Sequence, residues 1–400
     1  MKLLIVNLHL EIGGVETLLA RLIPLLHKQG VELTLLLLQK KVNQELLDAV
    51  TPFCRVLHLK EAFPYTRGHL RKFFGHEFDV VFYTIARALL VGSWLLGRAG
   101  FQRTKTVLGA YQTEIFCQED KRDCYHQRLV RRLVTQDIPA QSIIFGNTAG
   151  RDYHAAKLGI DLSESPVIRL FVDVEKYTFK DRSTLPRKKI VSIGRITYFK
   201  TYNFTMLPVI KNLVAKGHDV EWHVYGDGEQ LDEFKQTIVT QGLENRVFAH
   251  GSLKYSQFEQ VLDDAFLFVG SGTSLIEAAA CGVPALTTIE YAKEADTYGF
   301  ICDIEGYNLI EPGLDKKVFK LEEKIIEIIN LDHEQYFIMQ KNCDHKASLY
   351  SGKTVIKDYN EAMSLSILQG RNTQVSTKEI IKSIASFAEM KILSRLPKKS

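Results

Sequence analysis

The stretch Ala265–Leu286, AFLFVGSGTSLIEAAACGVPAL, allows few folds. Ala265–Val269 is an unbroken apolar run between Asp264 and Gly270, the pattern of a strand buried on both faces. A turn of small residues follows, Gly270-Ser271-Gly272-Thr273-Ser274. Leu275–Cys281 then reads as helix, ended by Gly282 with Pro284 beyond it. A strand covered on both faces belongs to a parallel sheet with crossover helices on either side. The same stretch puts free backbone N–H groups and the positive end of a helix dipole at a glycine turn, so it predicts an anion site. Glu277, read on the first turn of that helix, would suit the hydroxyls of a ribose or sugar. The alternative is a well-capped helix whose Glu merely complements the dipole.

The alternation recurs along the chain. Leu3–Leu8 reads as a strand, the turn His9-Leu10-Glu11-Ile12-Gly13-Gly14 follows, and Leu18, Leu19, Leu22, Leu25 and Leu26 mark a helical face closing near Gly30. Val31–Leu38 is the next strand, completing a βαβ unit. The turn lacks the G-x-G-x-x-G spacing of a dinucleotide fingerprint. Strands are expected at Val80–Thr84, Lys105–Gly109 and Ser142–Phe145, with a helix over Ala86–Leu96. After Val174–Lys189, polar and broken by Pro186, the pattern restarts. Ile190–Ile193, Asp219–Tyr225 and Val247–Ala249 are strands, each running into a turn that holds Gly194, Gly226 or Gly251.

Four hundred residues exceed one ordinary core. The expected organisation is a Rossmann-like domain over 1–173, a linker over 174–189 and a second Rossmann-like domain over 190–345. A C-terminal helix over 346–370 would pack back on the first domain, and 371–400 would be a polar, basic tail. Net charge is +4, too small for a general polyanion binder, so no nucleic-acid partner is expected. Six scattered cysteines without C-x-x-C spacing argue for reduced thiols, with no disulfide frame or zinc site. The N-terminal MKLLIVNLHL reads as a strand, not a signal peptide, and no apolar run approaches the roughly 20 residues of a membrane span. A cytoplasmic location follows. Two basic stretches, Arg67–Phe74 and Tyr125–Val134, are candidates for contact with an anionic membrane surface, and each reads equally as a surface helix with its apolar side in the core.

Ligands of open parallel sheets sit outside the carboxyl ends of the strands, where Arg195, Gly226, Gly251 and Gly272 all fall. Arg195 and Lys200 follow one strand end. A guanidinium fork beside a mobile ammonium suits two neighbouring phosphates. With the Gly270–Ser274 turn they make a diphosphate site, and no Asp-x-Asp pair stands at a strand end to hold a metal.

In this order the motifs resemble those of the retaining, nucleotide-sugar-dependent glycosyltransferases of the GT-B fold, the group 1 family. The features are Gly13-Gly14-Val15-Glu16, Val172-Asp173, Gly194-Arg195 with Lys200, Gly226-Asp227-Gly228, and Glu277-Ala278 through Cys281-Gly282-Val283-Pro284. The resemblance spans nearly the whole chain and is strongest from Ile190 to Ala285. It implies two doubly wound α/β domains facing a central cleft. Arg195 and Lys200 would grip the donor diphosphate, Glu277 the ribose, and these three would form the catalytic set. Gly194, Gly226, Gly228, Gly251, Gly272, Thr273 and Ser274 would line the donor site. His9, Gly13, Gly14, Tyr111 and Gln112 would line the acceptor side, although His9 also reads as a structural residue.

The implied reaction moves a sugar, with retention and without metal or other cofactor, from a nucleoside-diphosphate sugar to a glycan or lipid-linked glycan. The setting would be bacterial surface-polysaccharide assembly at the inner face of the membrane. Two positions depart from the family pattern. Val269 stands where many members carry a Glu eight positions before Glu277, and Tyr111-Gln112-Thr113 stands where many carry a His. Gln112 can hydrogen-bond a sugar hydroxyl but cannot take up a proton. A nucleotide-sugar epimerase and a catalytically silent scaffold on the same fold remain alternatives. The first would convert its nucleotide sugar without acceptor, and the second would tolerate loss of Arg195.

Overall fold

Short apolar runs that end in glycine or a small polar turn give eleven parallel strands in two sheets. The computed structural model describes residues 1–11, 13–111, 116 and 124–393. The first sheet holds β1 (Lys2–Asn7), β2 (Glu32–Leu37), β3 (Arg55–His58), β4 (Val80–Tyr83), β5 (Lys105–Ala110) and β6 (Ile143–Phe145). Their order is β3-β2-β1-β4-β5-β6, and every neighbouring pair is parallel. The second sheet holds β7 (Lys189–Ile193), β8 (Glu221–Tyr225), β9 (Val247–Gly251), β10 (Ala265–Gly270) and β11 (Ala285–Thr287), in the order β11-β10-β7-β8-β9, again all parallel. The expected α/β class with two doubly wound sheets is therefore what the chain forms. β3 and β11 were not legible as strands. Each is too short to show a period, and only Leu57 of β3 is buried.

The strands are covered on both faces, as their composition requires. All six residues of β10 are buried, and the helix Gly14–Lys28 turns Leu18, Leu19, Leu22, Ile23 and Leu26 inward beside β1 and β2. Each sheet has one point where the strand order reverses, between β1 and β4 in the first and between β7 and β10 in the second. Crossovers leave in opposite directions there, which opens a crevice at the carboxyl ends of those strands.

The chain forms two compact units, residues 1–169 with 355–400, and residues 170–354. Residues 174–189, taken from their polarity as a linker, lie within the second unit. Tyr177 is buried there, and the Arg182 guanidinium is buried on the carbonyls of Lys180, Leu262 and Cys281. Those carbonyls explain how a charged side chain in this segment is tolerated inside. The stretch 371–400, taken as a tail, contributes the helix Thr377–Leu393. It packs on the helix Tyr125–Arg132, with Arg132 Nη1 on Glu379 at 2.7 Å and His126 Nδ1 against Ser383 Oγ at 2.8 Å. Among the described residues the cysteines are free. No described helix is long and apolar enough to cross a membrane.

Candidate functional site

The carboxyl ends of β7, β8 and β9 are stitched backbone to backbone. Gly194 N–H donates to Tyr225 O (2.9 Å), Ile196 N–H to Asp227 O (2.9 Å) and Gly226 N–H to Gly251 O (2.7 Å). This closeness sets the role of two glycines. A Cβ on Gly226 would overlap the Gly194 carbonyl, and one on Gly228 would overlap the Ile196 carbonyl. Both let neighbouring loops touch, which is a different use from the ligand contact expected of them. Gly251 has a positive φ of 78° with open space around it.

Within this frame the loop after β7 returns Lys200 over Gly194. The ammonium lies 2.8 Å from where a Gly194 side chain would begin, so a larger residue there would displace the end of the lysine chain. Lys200 is half-buried and Arg195 is exposed. Loss of water pulls the Lys200 ammonium down to about 8, against the pull of the Glu290 carboxylate, and the Arg195 charge adds to the fall. Burial pushes Glu290 up to about 7, opposed by Lys200 and Arg195.

Glu290 did not emerge from the sequence, where it is one acid in a loop. It is brought in by a loop tied at three points: Thr288 N–H to Gly270 O (3.0 Å), Glu290 N–H to Ile310 O (2.9 Å) and Tyr291 N–H to Phe199 O (2.8 Å). The last bond sets Glu290 beside the loop that carries Lys200.

Across the switch point from Lys200 stands the turn after β10. Gly272 takes a positive φ of 82°, and the helix Thr273–Ala280 begins with no side-chain cap on its N–H groups. Ser271 is buried, and its hydroxyl has no hydrogen-bond partner among the described residues. Ser274 Oγ donates to Ile193 O at 2.9 Å, so this hydroxyl anchors the helix start to β7. An uncapped helix N-terminus, an unpartnered buried hydroxyl and two cations on the facing loop form a strongly anion-favouring arrangement.

Glu277 lies on the second turn of this helix, not the first, because the helix starts at Thr273. It is buried, and its Oε1 accepts hydrogen bonds from Tyr177 Oη (2.8 Å) and Tyr255 Oη (2.7 Å). Neither tyrosine was singled out from sequence; Tyr177 lies in the segment taken as a linker.

In the first unit, Gly13 and Gly14 open the helix Gly14–Lys28, and His9 stands beside Glu16, with Nδ1 3.5 Å from Oε1. Asn7 Nδ2 donates to His9 O (2.7 Å) and Glu16 Oε1 (3.4 Å). Tyr111 Oη is 2.9 Å from Tyr359 Oη, so this hydroxyl is engaged within the unit. Gln112 lies outside the described residues. The apolar faces of the two basic stretches are covered by protein. Leu70, Phe73 and Phe74 are buried, as are Leu129, Val130, Leu133 and Val134. Of the two readings of these stretches, this packing supports the surface helix with its apolar side in the core, since the apolar side chains that would enter a lipid surface are already packed.

Residues 173–297 match the model of the family described as glycosyl transferases group 1. Over 110 residues the chain is 33% identical to a 2-deoxystreptamine N-acetyl-D-glucosaminyltransferase of Niallia circulans, covering 26% of this chain and 28% of that protein. Over 134 residues it is 29% identical to a poly(ribitol-phosphate) alpha-N-acetylglucosaminyltransferase of Staphylococcus aureus, covering 32% of this chain and 25% of that protein. The chain thus spans about a quarter of the length of these curated relatives. A solved structure of HepE from Anabaena, in complex with UDP and glucose, superposes with a TM-score of 0.66 at 18% identity, over 91% of this chain and all of that one. The fold is that of the GT-B glycosyltransferases.

Proposed function

We propose that this chain, whose residues 173–297 match the model of the group 1 glycosyl transferases, moves a sugar from a nucleoside-diphosphate donor to a hydroxyl of a glycan or lipid-linked glycan. The observation that carries the proposal is the anion site at the switch point of the second sheet. The unpartnered Ser271 hydroxyl and the uncapped start of Thr273–Ala280 face a loop bearing Arg195 and Lys200. A diphosphate is the group such a site suits, and Glu277, about 6 Å further along the helix axis, would meet the ribose. The two curated relatives are named for transfer of N-acetylglucosamine, and the HepE structure holds UDP, so UDP-N-acetylglucosamine is the donor of choice.

The site's chemistry is electrostatic. Breaking the anomeric bond leaves an oxocarbenium-like sugar and puts negative charge on the diphosphate. Arg195, Lys200 and the N-terminus of Thr273–Ala280 would stabilise that charge as it develops. A phosphate oxygen of the donor can take the acceptor proton, so no protein nucleophile is needed and retention follows without a covalent sugar–enzyme bond. We further propose that no metal is used, Arg195 and Lys200 supplying the positive charge that the diphosphate needs. The setting is surface-polysaccharide assembly on the cytoplasmic side of the membrane. With their apolar faces packed inside, the helices Arg67–Phe74 and Tyr125–Arg132 would meet an anionic surface through basic side chains only.

A thermal-shift panel of nucleoside diphosphates and nucleotide sugars, with and without EDTA, tests this. A rise of several degrees with UDP or UDP-N-acetylglucosamine that survives EDTA is expected. No shift with any nucleotide at millimolar concentration removes the donor reading. A shift abolished by EDTA removes its metal-free form.

A further inference from the structure

Three oxygens meet at Glu277. Tyr177 Oη and Tyr255 Oη each lie within hydrogen-bond distance of Glu277 Oε1, and the two hydroxyls are 3.0 Å apart. A tyrosine hydroxyl has one proton, so when both donate to the carboxylate their mutual approach is not a third bond. One carboxylate oxygen then carries two donors. A buried carboxylate needs such partners to offset its loss of water.

The tyrosines are themselves fixed. The Lys176 ammonium lies 4.2 Å from the centroid of the Tyr255 ring. The Tyr177 ring packs on Phe258 at 5.7 Å. The segment behind Tyr177 is pinned by Thr178 N–H to Glu259 Oε1 at 3.1 Å and by Lys180 Nζ to Asp263 at 2.6 Å. Glu277 itself sits one helical turn beyond the Gly272–Ser274 turn, on the same helix.

We infer that Tyr177 and Tyr255 are positioning residues for Glu277, and that through it they make the donor site select a nucleotide carrying its ribose hydroxyls. The inference rests on the donor reading given above. With Oε1 held by two rigid aromatic donors, the plane and reach of the carboxylate are fixed relative to the diphosphate turn. A carboxylate in one orientation distinguishes a hydroxyl from a hydrogen, because the hydroxyl adds a hydrogen bond that a hydrogen cannot make. A carboxylate free to rotate recovers part of that loss elsewhere. The tyrosines therefore act on selectivity more than on affinity.

The test is calorimetric titration of the full chain with UDP, 2′-deoxy-UDP and 3′-deoxy-UDP, with the GDP series in parallel. The proteins are the wild type, Tyr255→Phe, Tyr177→Phe and the double variant. The wild type should bind the ribonucleotide about ten- to a hundredfold more tightly than at least one deoxy form. In the double variant that ratio should fall below about threefold, while affinity for the ribonucleotide falls far less than the ratio does. Tyr255 is only half-buried, so Tyr255→Phe alone supplies the test if Tyr177→Phe does not fold, with a partial fall expected. An unchanged ratio in folded variants, or a loss shared equally by ribo and deoxy forms, overturns the inference and leaves the donor reading standing. A wild type that binds neither UDP nor GDP overturns the donor reading itself.

Discussion

Each unit has a strand, a glycine turn and a helix at its switch point, yet the two turns differ in where their acid sits and in what faces it. After β10 the first helical turn, Thr273-Ser274-Leu275-Ile276, carries no acid, and the acid Glu277 is held one turn on by tyrosines. After β1 the first turn carries Glu16, whose Oε2 occupies the space a Gly13 side chain would take and whose Oε1 accepts from Asn7. A carboxylate there uses the helix dipole that would otherwise attract a phosphate. The second turn faces cations on a neighbouring loop; the first has His9 beside its acid. The same local fold thus presents two different electrostatic faces according to where one Glu is placed. Under the acceptor-side role that the family resemblance implies for Gly13 and Gly14, we propose that the first turn serves a neutral sugar acceptor.

The largest expected effect breaks the second turn's side of this comparison. Arg195→Ala or Lys200→Ala should lower turnover by about 10²–10³, the scale for removing one preorganised charge-stabilising donor. His9→Ala in the first unit should cost much less, because it meets no developing negative charge. Turnover of UDP-N-acetylglucosamine with acceptor is the measurement. A loss under about threefold in both cation variants, far below that scale, would sink the electrostatic mechanism.

How much of this was legible before the structure follows from the length scale of each feature. The two sheets were visible because Leu3–Leu8 and Ala265–Val269 are long apolar runs ending at turns, and a period or run is a local signal. Arg195, Lys200, Gly272 and Glu277 were visible because strand ends are the known place for ligands in such sheets. Glu290, Tyr177 and Tyr255 were not, since their partners lie far away in sequence; Tyr177 and Glu277 are one hundred positions apart. The packing role of Gly226 was hidden for the same reason, because its neighbour is the Gly194 carbonyl of another loop. Polarity misled over 174–189 and 371–400. Arg182 is charged yet buried on backbone carbonyls, and the helix Thr377–Leu393 buries Ile380 while exposing Ile381 and Ile384.

The Lys200–Glu290 pair sharpens the contrast, because it gives the second site a pH signature. The Glu290 carboxyl is raised from its ordinary 4.5 to about 7, so the folded chain holds this proton where the unfolded chain has lost it. Its contribution makes stability fall as pH rises from 4.5 to 7, after which it is constant. Lys200 is lowered from 10.5 to about 8, so its contribution makes stability rise from pH 8 to 10.5. The pair therefore predicts a shallow stability minimum between about pH 7 and 8, read as Tm against pH. Glu290→Gln should flatten the acid limb. An unaltered slope between pH 5 and 7 in that variant would show that Glu290 does not titrate there.

The smallest expected effects belong to the first turn, and they decide whether it reads acceptor at all. A Cβ on Gly14 meets nothing within 4 Å, so Gly14→Ala should change Tm very little. Glu16→Gln keeps the shape that fills the space beside Gly13 and removes only the charge. Neither should alter the UDP dissociation constant by more than about twofold, since a twofold change lies within the modest worth of a single net hydrogen bond. Glu16→Gln should raise the acceptor KM about three- to tenfold with kcat nearly unchanged, the pattern of lost uniform binding to a neutral hydroxyl. A weakened UDP affinity in either variant would mean that the first turn also meets the donor. The division of labour drawn from the position of one carboxylate would then have to be abandoned.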